Sequence, residues 1–517
     1  MTVATRVKAV LLLGLSLMAF VGSDGWFAIL ADESEFVTLA RQPLPQTVDD
    51  YLYGDGQPEH APLAGVLLHA WLPIGGHAQW SLRLPSIVFY LAGLVGFALV
   101  ARSLAGDAAF VCLLWIGVLW PLGFHFGRLA DWYSLCFFLV AVITLAYLRY
   151  LERPSGPRFA AFLIAAILLV YATYYGWAIV GCLAIDFTLV RRHRESLKFA
   201  SITLGTLALA YLPLWRVFAD QVLWSAIRSA DRLDSTWLLF RTLHTLNYSY
   251  VLFVSESMAP WFWYASIPVS VGIAASLVLM LLLLPQQHRR YLIYFALLFG
   301  GMVMLDIVNN VRLLHISGWL LLAFALALAN TEKPVQRRAL ALVLASVSAV
   351  GWTGVLARNY YAAPQLVEPW TAIAADAANM VKMGGVVVSN SPSFLFMMNY
   401  ALYDLGLVRA SSVPGWVEHP AVVSVNQWST TNIAGKSPVL FVKGVKTIVI
   451  ANGVNSSWEV ESDRAETWLA ANCLIGEVRQ LVPDTGYAVK ARFNPNAAQQ
   501  HFRISLKEYD CSGATAR

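Results

Sequence analysis

The stretch 159–190, FAAFLIAAILLVYATYYGWAIVGCLAIDFTLV, is apolar until Asp186 and is followed at once by Arg191-Arg192-His193-Arg194. Its reading decides the fold. As one long helix it would carry the basic cluster to the side of a membrane opposite Arg149–Arg158. As two short spans, 159–173 and 176–190, it returns the cluster to the same side. Short loops rich in Arg and Lys stay in the cytoplasm, so the two-span reading is preferred.

Working outward, apolar runs recur at 9–23, 82–101, 108–122, 133–148, 199–218, 263–284, 291–305, 313–330 and 339–356. A crossing helix needs about 20 residues, so the expectation is a mainly α, polytopic membrane protein with about eleven transmembrane helices. With the N-terminus inside, Arg102, Arg149–Arg158, Arg191–Lys198, Gln286–Arg290 and Glu332–Arg338 all fall in the cytoplasm. Arg6 and Lys8 precede the first run, and Val21-Gly-Ser-Asp-Gly-Trp26 is a poor cleavage site. That run reads as an uncleaved span rather than a signal peptide.

Composition agrees. The 517 residues are 58% hydrophobic and 13% charged, with mean hydropathy +0.60, whereas soluble domains carry roughly 25% charged residues. A chain this apolar must face lipid over much of its surface. The formal charge of +5 is spread over short loops and forms no continuous stripe, so nucleic acid is not an expected partner. Five cysteines are too few for a disulfide scaffold.

The same topology places the loops 24–81, 124–132, 219–262 and 306–312 outside the cytoplasm, with everything after residue 357. Two domains are expected: a transmembrane domain at 1–357 and an extracytoplasmic α/β domain at 358–517. Within the latter, Gly385–Ser389 and Lys446–Ile450 read as buried strands and Ser393–Tyr403 as a helix. Cys473 and Cys511 are its two cysteines, in a compartment that permits disulfides. A bridge is expected there, against two separate thiols.

The first outer loop is acidic: Asp32-Glu33-Ser34-Glu35, then Asp49, Asp50 and Asp55, then Glu59-His60-Ala61-Pro62-Leu63. The run from Leu63 to Ile74 is too short to cross and reads as interfacial. Carboxylates at the membrane surface suit a general base acting on a hydroxyl, although Asp49, Asp50 and Asp55 read more simply as a solvated loop. By position alone Asp32 would not stand out.

Asp32-Glu33, Glu59-His60-Ala61-Pro62-Leu63 and Trp80-Ser-Leu-Arg83-Leu-Pro85-Ser86, in this order and spacing, resemble the opening of a superfamily of GT-C glycosyltransferases. It is that of the protein O-mannosyltransferases and lipid A aminoarabinose transferases (family 39-like, dependent on a polyprenyl-phosphate sugar). Phe126-Gly-Arg128-Leu-Ala-Asp131-Trp-Tyr133 resembles the segment that opens their fourth span, and Asn309-Asn310-Val311-Arg312 their late arginine motif. The chain departs from the pattern at Ala61, where a second proline is usual, and at Ala172-Thr173-Tyr174, where a histidine is frequent. The second departure bears on substrate identity.

The resemblance implies transfer of a sugar from a polyprenyl-phosphate donor to a lipid, glycan or protein acceptor outside the cytoplasm, in the plasma or inner membrane. It implies Asp32 as base, with Glu33 orienting it or capping the helix. His60 and Arg312 are the candidate contacts to the donor phosphate, against an interfacial histidine and a headgroup anchor. Arg128 and Asp131 would hold the acceptor or the donor sugar, or form a local ion pair. No metal and no cofactor is assigned. Two other classes compete: a transporter or flippase of lipid-linked sugars, and a non-catalytic scaffold serving the outer domain. Transporters place ionisable groups near the bilayer midplane, whereas the notable charges here lie at the outer ends of spans.

Overall fold

The computed structural model describes residues 2–23, 31–53, 61–76, 78–191, 193–219, 260–304, 310–356, 370–390, 392–408, 419–425, 428–448, 457–481 and 500–515. The chain forms two compact units. One comprises 1–24, 44–253 and 265–355, the other 25–43, 254–264 and 356–517.

The first unit is helical: α1 (Val3–Gly22), then, past α2 (Ala31–Arg41) of the second unit, α3 (Leu44–Tyr53), α4 (Leu63–Gly75), α5 (Gln79–Val118), α6 (Pro121–Phe126) and α7 (Tyr133–Glu152). It continues with α8 (Gly156–Ala172), α9 (Gly176–Val190), α10 (His193–Ala210), α11 (Pro260–Leu283), α12 (Arg289–Met304), α13 (Asn310–Asn330) and α14 (Pro334–Leu356). The deciding stretch does break. Thr173 is extended (φ −157°, ψ 141°), and its carbonyl accepts from the Gly176 amide at 2.9 Å to start α9.

Among the described residues, Val3–Gly22, Gln79–Val118, Tyr133–Glu152 and Leu313–Asn330 are long and apolar enough to cross a bilayer, which makes the chain an integral membrane protein. Gly156–Ala172, Gly176–Val190 and Val271–Leu283 are apolar but shorter. The run at 199–218, expected as one span, is a pair of helices that is apolar enough to cross only when taken together and is bent by 61° between Ala210 and Leu212. Pro213 explains the bend, because it lacks an amide proton and disfavours helical backbone at the residue before it.

The 40 residues of α5 are two helices, as the separate runs 82–101 and 108–122 predict. Ala105 and Gly106 leave helical geometry, with Gly106 at φ +78°, a conformation that glycine adopts without strain. The arms fold back on each other, since the Tyr90 hydroxyl donates to the Gly117 carbonyl at 2.8 Å. At the turn Arg102 Nε pairs with Asp107 Oδ1 at 2.7 Å, and Asp107 also accepts from the Thr2 amide at 3.1 Å. Arg102, Asp107, Arg149 and Glu152 line one groove, so two of the basic loops read from the sequence, at Arg102 and at Arg149, share one end of the bundle.

Helix α13 is the axis of this unit. Leu313, Leu314, Ile316 and Trp319–Ala327 are all buried. Between helices in lipid the hydrophobic effect supplies little, so close packing and hydrogen bonds must hold the contact. A Cβ at Gly318 would overlap the Phe97 ring of α5, and Trp319 Nε1 donates to Thr144 Oγ1 of α7 at 2.9 Å. Asp186, close to Arg191 in sequence, takes its partners from further away: Tyr147 Oη at 2.6 Å and Arg290 at 3.4 Å. Helix 3.6-residue spacing turns Asp186 inward, while Arg191 reaches the Leu151 carbonyl.

The second unit contains α2 and, after it, α15 (Trp370–Lys382), β1 (Val386–Ser389), α16 (Pro392–Asp404), β2 (Val422–Ser424), α17 (Thr430–Ile433), β3 (Val439–Ile448), α18 (Ser457–Asn472), β4 (Leu474–Leu481) and β5 (Gln500–Asp510). The sheet order is β2-β1-β3-β5-β4. β1 is parallel to β2 and β3, and β5 is antiparallel to β3 and β4. Alternate residues Val386, Val388, Val439 and Phe441 form a buried core with Ala465 and Leu469 of α18. Cys473 and Cys511 form the expected disulfide, with Cα atoms 4.5 Å apart.

Candidate active site

The end of the helical unit opposite the basic groove gathers buried polar side chains. The segment from Gly127 to Trp132 links α6 to α7 and is held by its own bonds. The Gly127 amide donates to the Gly123 carbonyl at 2.8 Å, and Ser134 Oγ to the Gly127 carbonyl at 2.8 Å. Asp131 Oδ1 accepts the Trp132 amide at 2.7 Å, at the positive start of α7. Ser86 Oγ of α5 donates to the Asp131 carbonyl at 3.3 Å.

Arg128 is 0% exposed. Its guanidinium lies 4.8 Å over the Phe124 ring and donates to Ser23 Oγ, just past α1, at 2.8 Å. Arg83, in the first turns of α5, is 1% exposed. His125 on α6 is buried too. Burial, with the charges of Arg128 and Arg83, holds its imidazole well below the usual range and so neutral. His315 of α13 is 0% exposed, its ring 5.8 Å from Trp132 and 5.5 Å from Tyr175 at the α8–α9 turn. Two buried guanidiniums near the positive N-terminal ends of α5 and α7, both acting on His125, concentrate positive charge that favours an anion. Arginine suits a phosphate in particular, through two parallel hydrogen bonds.

Of the residues singled out in the sequence, Arg128 and Asp131 are brought together here. Asp32 and Glu33 lie on α2 in the second unit, where the Glu33 side chain is 1% exposed. Arg312 lies in the first turn of α13, one turn before His315. For Asp32 and Arg312 the description extends to the backbone, and His60 lies outside the described residues. Sequence reasoning overlooked Arg83 as more than a motif letter, and also His125, His315 and Ser23. An ionisable residue inside an apolar span was the available signal for His315. Among the described residues, no group of three or more His, Cys, Asp or Glu is gathered as a metal site would require.

No protein-family model and no curated protein sequence matches the chain. Solved structures do. The crystal structure of ArnT from Cupriavidus metallidurans in the apo state superposes with a TM-score of 0.54 at 12% identity, covering 99% of this chain and 100% of that one. The structure of the same protein bound to undecaprenyl phosphate gives 0.53 at 12% identity, covering 98% of each. At that identity the likeness is one of fold, and it runs through both the helical unit and the α/β unit. The chain is thus an integral membrane protein with the GT-C fold of ArnT, the lipid A aminoarabinose transferase.

Proposed function

We propose that the protein is a membrane glycosyltransferase that moves a sugar from a polyprenyl-phosphate donor to an acceptor on the extracytoplasmic side. The observation that carries this reading is the pair of buried arginines, Arg83 and Arg128, in a chain whose fold follows ArnT along its whole length. The undecaprenyl phosphate bound to that protein is of the class that such a donor releases on transfer.

In this reading an acceptor oxygen attacks C1 of the donor sugar, and its proton passes to the Asp32 carboxylate. The C1–oxygen bond to the phosphate breaks, and the polyprenyl phosphate leaves with the bonding pair. Attack from the opposite face inverts the anomeric carbon. Arg83 and Arg128, with Arg312 and His60 as further candidates, stabilise the charge that develops on the leaving phosphate. His125, neutral beside two arginines, adds no repulsion between cations. Glu33 orients Asp32 or supports its helix. The plasma or inner membrane is the proposed location, with the α/β unit outside the cytoplasm.

The test is mass spectrometry of cell-envelope glycans from cells with the protein, without it, and with Asp32→Asn. This substitution keeps the size of the side chain and removes its basicity. A positioned base is worth about 10²–10⁴ in rate, so the product that depends on the protein should nearly vanish at unchanged expression. Wild-type product from Asp32→Asn would remove Asp32 as base and favour the transporter reading.

A further inference from the structure

The helix that carries the Asp-Glu pair is not packed as part of the helical unit. Helix α2 belongs to the α/β unit and lies against α16. Glu33, Phe36, Val37 and Ala40 are all buried, at the i, i+3, i+4 and i+7 positions of one helical face. The carboxylate of the pair that is described therefore sits on the packed face, in line with apolar contacts.

Arg41 closes this helix. Its side chain is 2% exposed, although it is a cation in the last turn. The guanidinium lies 3.9 Å from the ring centroid of Tyr403 and 4.7 Å from that of Tyr400. Arg41 NH2 also pairs with Asp404 Oδ1 at 3.4 Å. All three partners come from the last turns of α16, so one side chain clasps the end of one helix to the end of the other. A buried cation between two aromatic faces is held more firmly than a solvated ion pair. The planar guanidinium also fixes direction, which a lysine ammonium does not.

We propose that Arg41 is a positioning residue for the transfer reaction: by clasping α2 to α16 it fixes the orientation of the helix that carries Asp32. This rests on the glycosyltransferase reading above. A base must be held within hydrogen-bond reach of the proton it takes, and a displacement of about 1 Å in such a site costs on the order of 10²-fold in rate. A loosened clasp should therefore lower turnover and spare the affinity for the lipid phosphate.

The experiment uses the full chain with Arg41→Ala, Arg41→Lys, Tyr403→Leu, the double variant Arg41→Ala/Tyr403→Leu, and Asp32→Asn. Envelope glycan product is measured per folded, membrane-inserted protein, and undecaprenyl phosphate is titrated into each purified variant. Arg41→Ala should lose about tenfold or more of the product, with affinity for undecaprenyl phosphate within about twofold of wild type. Arg41→Lys should recover part of the loss, and the double variant should be no worse than the worse single one. Wild-type product from Arg41→Ala beside a silent Asp32→Asn overturns the role of Arg41 alone. Wild-type product from Asp32→Asn takes down both readings. Parallel loss of folded protein and lipid affinity, with no recovery by lysine, reduces Arg41 to a fold-stabilising contact and also overturns the proposal.

Discussion

Arg128 donates to the hydroxyl of Ser23 at 2.8 Å, joining the loop ahead of α7 to the residue where α1 ends. Both side chains are buried, so the bond is a charge-assisted one in a medium of low dielectric. Removing the serine hydroxyl should cost on the order of 1.5–3 kcal/mol of stability, since the bond is to a charged group. Arg128→Ala removes one of the two buried cations as well. Ser23→Ala should therefore lower the melting temperature in detergent and keep much of the transfer, whereas Arg128→Ala should abolish transfer. Equal activity in the two variants would make Arg128 a purely structural residue.

Topology is checked with a reporter. The basic groups Arg102 and Arg149 share one end of the helical unit, and short basic loops stay in the cytoplasm. A reporter that works only in the cytoplasm should be active when inserted after Arg153 and silent when fused after Arg517. Activity after Arg517 would place the α/β unit inside and exclude the proposed side for transfer.

The disulfide closes a separation of 38 residues, tying the end of α18 to the end of β5. A loop of this length predicts a stabilisation of about 3–4 kcal/mol. Cys473→Ser, or reduction of the wild type, should make the α/β unit markedly more sensitive to protease in the full chain. Cys473 and Cys511 should resist alkylation until reduced. Labelling of both without reductant would dismiss the bridge.

A small ionic network braces α18 on the sheet. Lys443 Nζ lies 2.7 Å from Asp463 and 2.8 Å from Glu466, and Lys507 also pairs with Glu466. Burial alone would raise the Glu466 carboxyl, but the hydrogen bonds and charges of the two lysines outweigh it, and its pKa is lowered. The contribution is present above the unfolded carboxyl value of about 4.3 and is lost as pH falls through the lower folded value. Burial lowers Lys443, and its hydrogen bonds to Asp463 and Glu466 prevail, so its pKa is raised. Its share is present below about pH 10.4 and is lost as pH rises through the folded value. Glu466→Gln should reduce the amide protection of β3 and β5 by about 1 kcal/mol at pH 7. The difference from wild type should be smaller in acid, below the lowered folded value, than at pH 7. A difference that does not change between the two would assign the effect to packing.

The sequence by itself determined the membrane class, the helical runs and the break in 159–190, because these depend on local hydrophobicity and on charge in the adjoining loop. It also placed β1, α16 and the last three residues of β3, whose side-chain periods are local properties. The α5 hairpin was legible for the same reason, as two apolar runs on either side of Gly106. Tertiary structure alone decided that α2 belongs to the α/β unit, since a stripe of Glu33, Phe36, Val37 and Ala40 does not say what will cover it. It alone turned Arg41 inward onto Tyr400 and Tyr403, across more than 350 residues of chain. It also brought Arg83, His125, Arg128 and His315 to one end of the bundle. Packing at long range, where several helices must choose faces together, is not written in the period of any one of them.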